Sequence, residues 1–315
     1  MILQYALILL SLILLFAGAE MLVKGSASVA ARAGLTPLMI GLTVVAFGTS
    51  SPELAVSLEA ALMGQGDVAV GNAVGSNLLN IALILGLSAL IYPIAVHLQL
   101  IKIDVPIMIL VAILLPLLLL DGRLGRLEGG LLFVGIILYT LLNVRMARKG
   151  STTEVEDEFA EGVPQMTRHW SLDLLLIVGG LVILVLGSRL LVDNCLQVAR
   201  AFHISEAVIG LTVIALGTSM PELATSIVAA IRRQPDIALG NVVGSNIFNI
   251  LGTLGISAMV APMTVPGIQM LDYAVMIGVS LLLLPFLMTG LRLGRLEGCI
   301  LLAAYGSYLF VLWPK

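Results

Sequence analysis

Two stretches of this sequence are near-copies at a fixed distance, and that duplication limits the possible folds more than any other feature. Gly41–Ser57 reads GLTVVAFGTSSPELAVS and Gly210–Ser226 reads GLTVIALGTSMPELATS, 169 residues apart (210 minus 41), with 13 of 17 positions identical. In the same register Gly71–Ile81 (GNAVGSNLLNI) is answered by Gly240–Ile250 (GNVVGSNIFNI), with eight of 11 identical. RLGRLEG occurs at both Arg123–Gly129 and Arg292–Gly298, and Gly18, Leu22 and Val23 match Gly187, Leu191 and Val192. Shared apolar composition does not place polar-containing blocks in one register, so the chain is two copies of one unit.

Composition says what that unit is made of. Of 315 residues, 59% are hydrophobic and 11% charged, against about 25% charged in an average soluble domain. About 20 apolar residues suffice to cross a bilayer. Ten runs of that kind are read: 5–23, 38–63, 68–93, 105–120, 127–144, 172–192, 207–231, 236–261, 270–289 and 296–313. The expected fold is an all-α membrane protein of ten transmembrane helices. It divides into a first five-helix repeat (1–146), a linker (147–171) and a second repeat (172–315). Five is odd, so the second copy enters the membrane from the opposite side, inverted with respect to the first. Lys and Arg then divide 11 to five between the two faces, which puts the linker in the cytoplasm and both termini outside.

Several segments carry less. Ala17-Gly18-Ala19 resembles a signal-peptide cleavage site, but Met1–Tyr5 has no basic residue and Gly18 belongs to the repeat, so the run is expected to stay in the fold. The linker turns acidic at Glu154, Glu156, Asp157, Glu158 and Glu161, which reads as a solvated connection before it reads as a regulatory calcium site. Cys195 and Cys299 have no pairing or metal-ligand spacing. No basic cluster with interleaved aromatics points to nucleic acid.

The chemistry sits at mid-depth. Glu53 is the sixteenth of 26 residues in run 38–63, and Glu222 the sixteenth of 25 in 207–231. An ionised carboxylate there costs about 2.5–3.5 kcal/mol on insertion scales, and a bound cation supplies the compensation. Around each acid, Thr49-Ser50-Ser51-Pro52-Glu53 and Thr218-Ser219-Met220-Pro221-Glu222 read as helix starts, with capping hydroxyls and Pro in the first turn. Pro52 and Pro221 break the spans at mid-depth, leaving carbonyls near Ala46–Gly48 and Ala215–Gly217 as cation ligands. The competing reading, a Pro-kinked helix whose polar groups satisfy one another, accounts for one such segment but not for two symmetric acids.

The third and eighth spans add Ser76 with Asn80 and Ser245 with Asn249, each pair four residues apart on one helix face. Gly71, Gly75, Gly240 and Gly244 form small-xxx-small ridges suited to close packing. Asn72, Asn77, Asn241 and Asn246 are equally suited to ligating an ion and to bonding the broken backbones. All the donors are hard oxygen, which fits calcium's six to eight ligands and sodium's similar needs. His97, His169 and His203 fall outside the motifs, as loop residues, so zinc, copper and nickel are not expected.

These blocks, GTSSPE (48–53) with GTSMPE (217–222) and GNAVGSNLLN (71–80) with GNVVGSNIFN (240–249), resemble the alpha repeats of the cation/calcium exchanger superfamily, and the whole chain resembles its compact bacterial sodium/calcium exchanger branch. The resemblance implies exchange of Ca2+ for Na+ by alternating access in the plasma (inner) membrane of a prokaryote, with no cofactor and no partner beyond the ions and the lipid. A monomer suffices. It places the ligands on Ala46, Thr49, Ser50, Glu53, Ser76 and Asn80, and on Ala215, Thr218, Ser219, Glu222, Ser245 and Asn249. It also implies that the first and sixth spans slide as a pair, with Gly18 and Gly187 at the moving contact. Some relatives carry Asp at the position of Asn249, so potassium co-transport is not expected here. The alternatives are a proton-coupled cation exchanger on the same fold, with the two Glu residues carrying protons, and, more remotely, a channel or a membrane enzyme. Ser50 or Ser219 beside Glu, without His, makes a poor nucleophile.

Overall fold

A computed structural model of the chain describes residues 2–149, 169–202 and 215–312. The acidic part of the linker, His203 and the first eight residues of run 207–231 lie outside those residues. The helices are α1 (Ile2–Ala33), α2 (Pro37–Thr49), α3 (Ser51–Leu62), α4 (Gly66–Ile91) and α5 (Leu100–Leu118), and α6 (Arg126–Lys149). There follow α7 (Trp170–Ala201), α8 (Ala215–Thr218), α9 (Met220–Ile231), α10 (Pro235–Val260), α11 (Met270–Met288) and α12 (Arg295–Leu312). Seven of them (α1, α4, α5, α6, α7, α10 and α11) are long and apolar enough to cross a bilayer, and the bent pair α2–α3 makes an eighth. Of the ten runs read from sequence, the other two correspond to the partly described α8–α9 segment and to α12.

The fourth run begins earlier than hydropathy indicates. α5 starts at Leu100 with a π-helical turn through Asp104, because Asp104 is buried rather than lost to solvent: Tyr139 Oη donates to it at 2.9 Å and Gln99 Nε2 at 3.3 Å. A carboxylate satisfied inside the protein does not end a span.

α4 and α10 are the central helices. In α10 89% of the apolar window is buried, and in α4 72%, against 22–33% in α1, α6, α7 and α11, as expected of helices covered on all sides. Each carries a π-helical segment at the same repeat position, Asn80–Leu85 and Asn249–Leu254. The outer helices turn leucines outward; Leu131 of α6 is 68% exposed and Leu175 of α7 64%, an apolar belt of the kind that faces lipid.

The halves are also joined at their loops. β1 (Ile94–Ala95) pairs antiparallel with β4 (Arg292–Leu293), and β2 (Arg123–Leu124) with β3 (Met263–Thr264). The registers are two-fold images: Ile94 faces Leu293, and Met263 faces Leu124. RLGRLEG is thereby explained as structure. Glu128 and Glu297 accept hydrogen bonds from the amides of Gly125 and Gly294, both at 3.0 Å, and a Cβ on either glycine would stand 2.7 Å from the carboxylate.

α1 and α7 cross at small residues. A Cβ on Gly18 would lie 2.9 Å from the Gly180 carbonyl oxygen, whereas Gly187 meets Leu14 and Leu15 at 3.2–3.3 Å. The two glycines singled out in sequence therefore contact different residues instead of each other. Arg32 of α1 is paired with Asp173 of α7 at 2.9 Å, and Glu20 of α1 with Arg232, just past α9, at 2.6 Å. His97, expected as a loop residue, bridges to Asp236 in the first turn of α10 at 3.1 Å.

Candidate cation site

The bend between α2 and α3 is 44°, with Ser50 at the joint (φ −83°, ψ 8°) and Pro52 in the first turn of α3. Ser219 has nearly the same geometry (φ −88°, ψ 9°) ahead of Pro221. A short side chain at the N-cap normally accepts from its own helix. Neither serine does so. Ser50 Oγ instead donates to Glu222 Oε1 at 2.8 Å, and Ser219 Oγ donates to Glu53 Oε1 at 3.0 Å. The hydroxyls read from sequence as caps have crossed to the acid of the other repeat.

Both glutamates are fully buried, and the crossed bonds bring them into one place. Ser219 Oγ also lies 3.1 Å from Ser76 Oγ, and Ser245 Oγ approaches the Ala46 carbonyl at 3.5 Å. That carbonyl still accepts the Ser50 amide at 3.0 Å, so it has not lost its helical donor as the sequence reading expected. The carbonyl that Pro52 deprives is that of Gly48, four residues back, and Ser51 Oγ donates to it at 2.8 Å. Ala215 opens α8.

The asparagines frame the acids. Asn72 Nδ2 donates to the Glu53 carbonyl at 3.2 Å and to Ser57 Oγ at 2.9 Å; Asn241 Nδ2 does the same for Glu222 at 3.4 Å and Ser226 at 3.0 Å. Thr49 Oγ1 donates to Asn241 Oδ1 at 3.0 Å, and Thr218 Oγ1 lies 3.4 Å from Asn72 Oδ1. Asn77 and Asn246 cross between α4 and α10, each amide donating to the other's backbone carbonyl, at 3.0 and 3.3 Å. Their side-chain oxygens in turn accept from Asn249 and Asn80, at 3.1 and 3.0 Å.

That last pair of bonds pins the Nδ2 ends of Asn80 and Asn249 and leaves their oxygens free. Glu53 Oε2, Glu222 Oε2, Asn80 Oδ1 and Asn249 Oδ1 are all buried with no donor among the described residues. Buried oxygens are ordinarily hydrogen-bonded, so four at symmetric positions, two of them on carboxylates, are candidate cation ligands. No three His, Cys, Asp or Glu come together among the described residues. The charge is thus confined to two carboxylates, and the set is hard oxygen throughout.

Sequence reasoning missed three participants. Ser57 and Ser226 close the duplicated block, one turn after each glutamate, and their repetition was the available signal. Ser188 of α7, whose hydroxyl donates to the Gly217 carbonyl, gave none. Gly240 and Gly244 do pack closely: a Cβ on them would stand 2.7 and 2.6 Å from the carbonyl oxygens of Leu38 and Leu42. By the repeat offset Leu38 and Leu42 correspond to positions 207 and 211, which lie outside the described residues.

Comparison with known proteins shows the family and the fold. Residues 3–145 and 172–313 match the family described as sodium/calcium exchanger protein. The sodium/calcium exchanger MaX1 of Methanosarcina acetivorans is 32% identical over 98% of both chains. Inner membrane protein YrbG of Escherichia coli strain K12 is 40% identical over 90% of this chain and 88% of its own. A solved structure of the sodium-calcium exchanger NCX_Mj, soaked with 2.5 mM Na+ and 1 mM Sr2+, superimposes with a TM-score of 0.85 at 34% identity, covering 98% of each chain.

Proposed function

The chain belongs to the sodium/calcium exchanger protein family, and on that premise we propose that it exchanges Ca2+ for Na+ by alternating access to the site between Glu53 and Glu222. It is a multi-pass membrane transporter of the cation/calcium exchanger kind, not an enzyme. The observation that carries the reading is the set of four unpartnered buried oxygens on Glu53, Glu222, Asn80 and Asn249. Completed by Thr49, Ser50, Ser76, Thr218, Ser219, Ser245 and the carbonyls of Ala46 and Ala215, it reaches the six to eight oxygens calcium needs.

The proposed mechanism follows from charge. Two ionised carboxylates balance one Ca2+, or the Na+ ions that take its place. Empty, they are unpaired charges in a dry core, costly to carry through the occluded state. One cation must therefore replace the other before the site crosses, which is exchange. Pro52 and Pro221 keep the broken backbones beside the ion, and Gly18 and Gly187 lie where α1 and α7 would slide over the core.

Strand pairing supports ten spans in two inverted repeats. β2 and β3 pair, so they lie on one membrane face, and an even number of crossings separates them. Between them run α6, α7 and α10, three spans, so the segment containing α8 and α9 supplies the fourth. The linker 147–171 then joins repeats 1–146 and 172–315 on the basic face. We place the protein in the plasma membrane of a prokaryote with both termini outside, as befits a relative of an inner membrane protein.

The test is sodium-loaded proteoliposomes taking up ⁴⁵Ca2+. Uptake should scale with the outward sodium gradient and vanish in Glu53→Gln and Glu222→Gln. Uptake indifferent to sodium but driven by a pH gradient would replace this reading with proton coupling. A fully active double Gln variant would refute the site.

A further inference from the structure

Pro221 removes the amide that would have met the Gly217 carbonyl, as Pro52 does for Gly48. The two repeats meet this loss differently. In the first, Ser51 donates to Gly48 from three residues along the same span, across the bend between α2 and α3, at 2.8 Å. In the second, the equivalent of Ser51 is Met220 (51 plus 169), which has no donor to offer. The Gly217 carbonyl takes its hydrogen bond from Ser188 of α7 instead. Ser188 is 5% exposed, and its equivalent in the first repeat is Ala19 (188 minus 169). The contact is close-fitting: a side chain on Gly217 would collide with Val192, one turn further along α7. Gly217 immediately precedes Thr218 and Ser219, and Ser219 holds Glu53.

We propose that Ser188 is a positioning residue that ties the second repeat's ion-binding segment to the position of α7. This rests on the alternating-access reading above. The Ser51 bond joins residues three apart across the bend between α2 and α3, so it does not depend on where α7 stands. The Ser188 bond spans two elements, so it survives only while α7 keeps its present place against α8. When α7 slides, a carbonyl in a dry core loses its donor, and the present state is favoured over the other by the worth of one buried hydrogen bond. The first repeat exerts no such bias, so the two faces of the transporter are energetically unequal.

The experiment measures the apparent KM for Ca2+ at each face, using ⁴⁵Ca2+ uptake into right-side-out and inside-out vesicles under opposite sodium gradients. Ser188→Ala should raise KM at one face and lower it at the other, changing their ratio by roughly tenfold, the scale of one buried donor lost. Adding Met220→Ser supplies a donor from three residues along the same segment, so Ser188→Ala/Met220→Ser should recover thermal stability without recovering the wild-type ratio. Ser51→Ala should lower stability and leave the ratio alone. A purely structural role for Ser188 would move stability and maximal rate while the ratio stayed fixed, and that result overturns the proposal. If Ser188→Ala does not reconstitute, Met220→Ser alone decides: it makes the α7 bond redundant, so the ratio should shift in the same direction, and an unchanged ratio is again fatal. Wild-type vesicles without sodium-driven flux would overturn the antiport reading and this inference with it, whereas wild-type flux with an unmoved ratio overturns the inference alone.

Discussion

Asn246→Ala tests whether the asparagine lattice aims the site. Asn246 is buried; it donates to the Asn77 carbonyl at 3.3 Å and accepts from Asn80 Nδ2 at 3.0 Å. Alanine removes the first bond, worth about 1 kcal/mol net, and leaves the Asn80 donor unpaired, worth about 1–3 kcal/mol more, so a destabilisation of about 2–4 kcal/mol is expected. The second consequence is functional. With Nδ2 held by Asn246, Asn80 Oδ1 is left buried without a donor, and in the proposed site it is a ligand. Once unpinned, the amide can turn its donor end toward the carboxylates, and a neutral ligand is lost. At about 1 kcal/mol for such a contact, Ca2+ affinity should fall roughly fivefold. Asn77→Ala should do the same through Asn249 Nδ2, which bonds Asn77 Oδ1 at 3.1 Å. The assay is equilibrium ⁴⁵Ca2+ binding to protein in detergent, with denaturant unfolding in parallel. Loss of stability with unchanged affinity in both variants would refute the aiming argument and leave the lattice as scaffolding only.

Three further changes discriminate between parts of the reading. Asn249→Asp adds a third carboxylate where Ca2+ balances two, so Ca2+ binding should become dependent on an added monovalent cation; binding indifferent to Na+ and K+ would contradict the charge count. Gly18→Ala puts a methyl group 2.9 Å from the Gly180 carbonyl oxygen, whereas Gly187→Ala meets only side-chain and backbone atoms at 3.2–3.3 Å. Overpacking of about 1–3 kcal/mol is expected at Gly18 and less at Gly187, and thermal unfolding in detergent should rank them in that order. Arg32→Gln strips a partner from Asp173, whose side chain is wholly buried while that of Arg32 is 22% exposed. Solvent at the arginine reduces the loss below the roughly 3–5 kcal/mol of a fully buried pair, to about 1–3 kcal/mol, and adding Asp173→Asn should recover part of it.

What could be read in the sequence was whatever the duplication wrote twice: the apolar runs, the broken helices at Pro52 and Pro221, and the acids beside them. Partnership across the two copies was not legible. Ser50 and Glu222 are 172 residues apart, and Ser219 and Glu53 166. The local grammar of a helix start assigns both serines to their own helices, so the stronger pull of a buried carboxylate on a hydroxyl was invisible. Asp104 misled hydropathy for a related reason, since its partners Gln99 and Tyr139 are set by packing between α5 and α6. Met220 facing Ser51 was a visible mismatch between the copies, but only the position of α7 revealed what replaces the missing hydroxyl.

The crossed bonds bear on why two copies are needed at all, and they support one more prediction. Each glutamate takes its serine from the other repeat, the Asn77–Asn246 exchange joins α4 to α10, and each strand pair is made of one strand from either half. The linker contributes to none of these contacts among the described residues. A chain cut within 150–168 should therefore bind Ca2+ with nearly wild-type affinity when both halves are co-expressed and purified together, because the contact between α4 and α10, the two most buried helices among the spans, holds them. Either half expressed alone has one glutamate, no hydroxyl from across the interface and an exposed apolar face on its central helix, so it should bind no Ca2+ and aggregate. Titration of ⁴⁵Ca2+ onto the co-purified halves and onto each half singly separates the cases. Calcium binding by one half alone would mean that a single repeat contains a complete site, and the crossed serines would then be irrelevant to affinity.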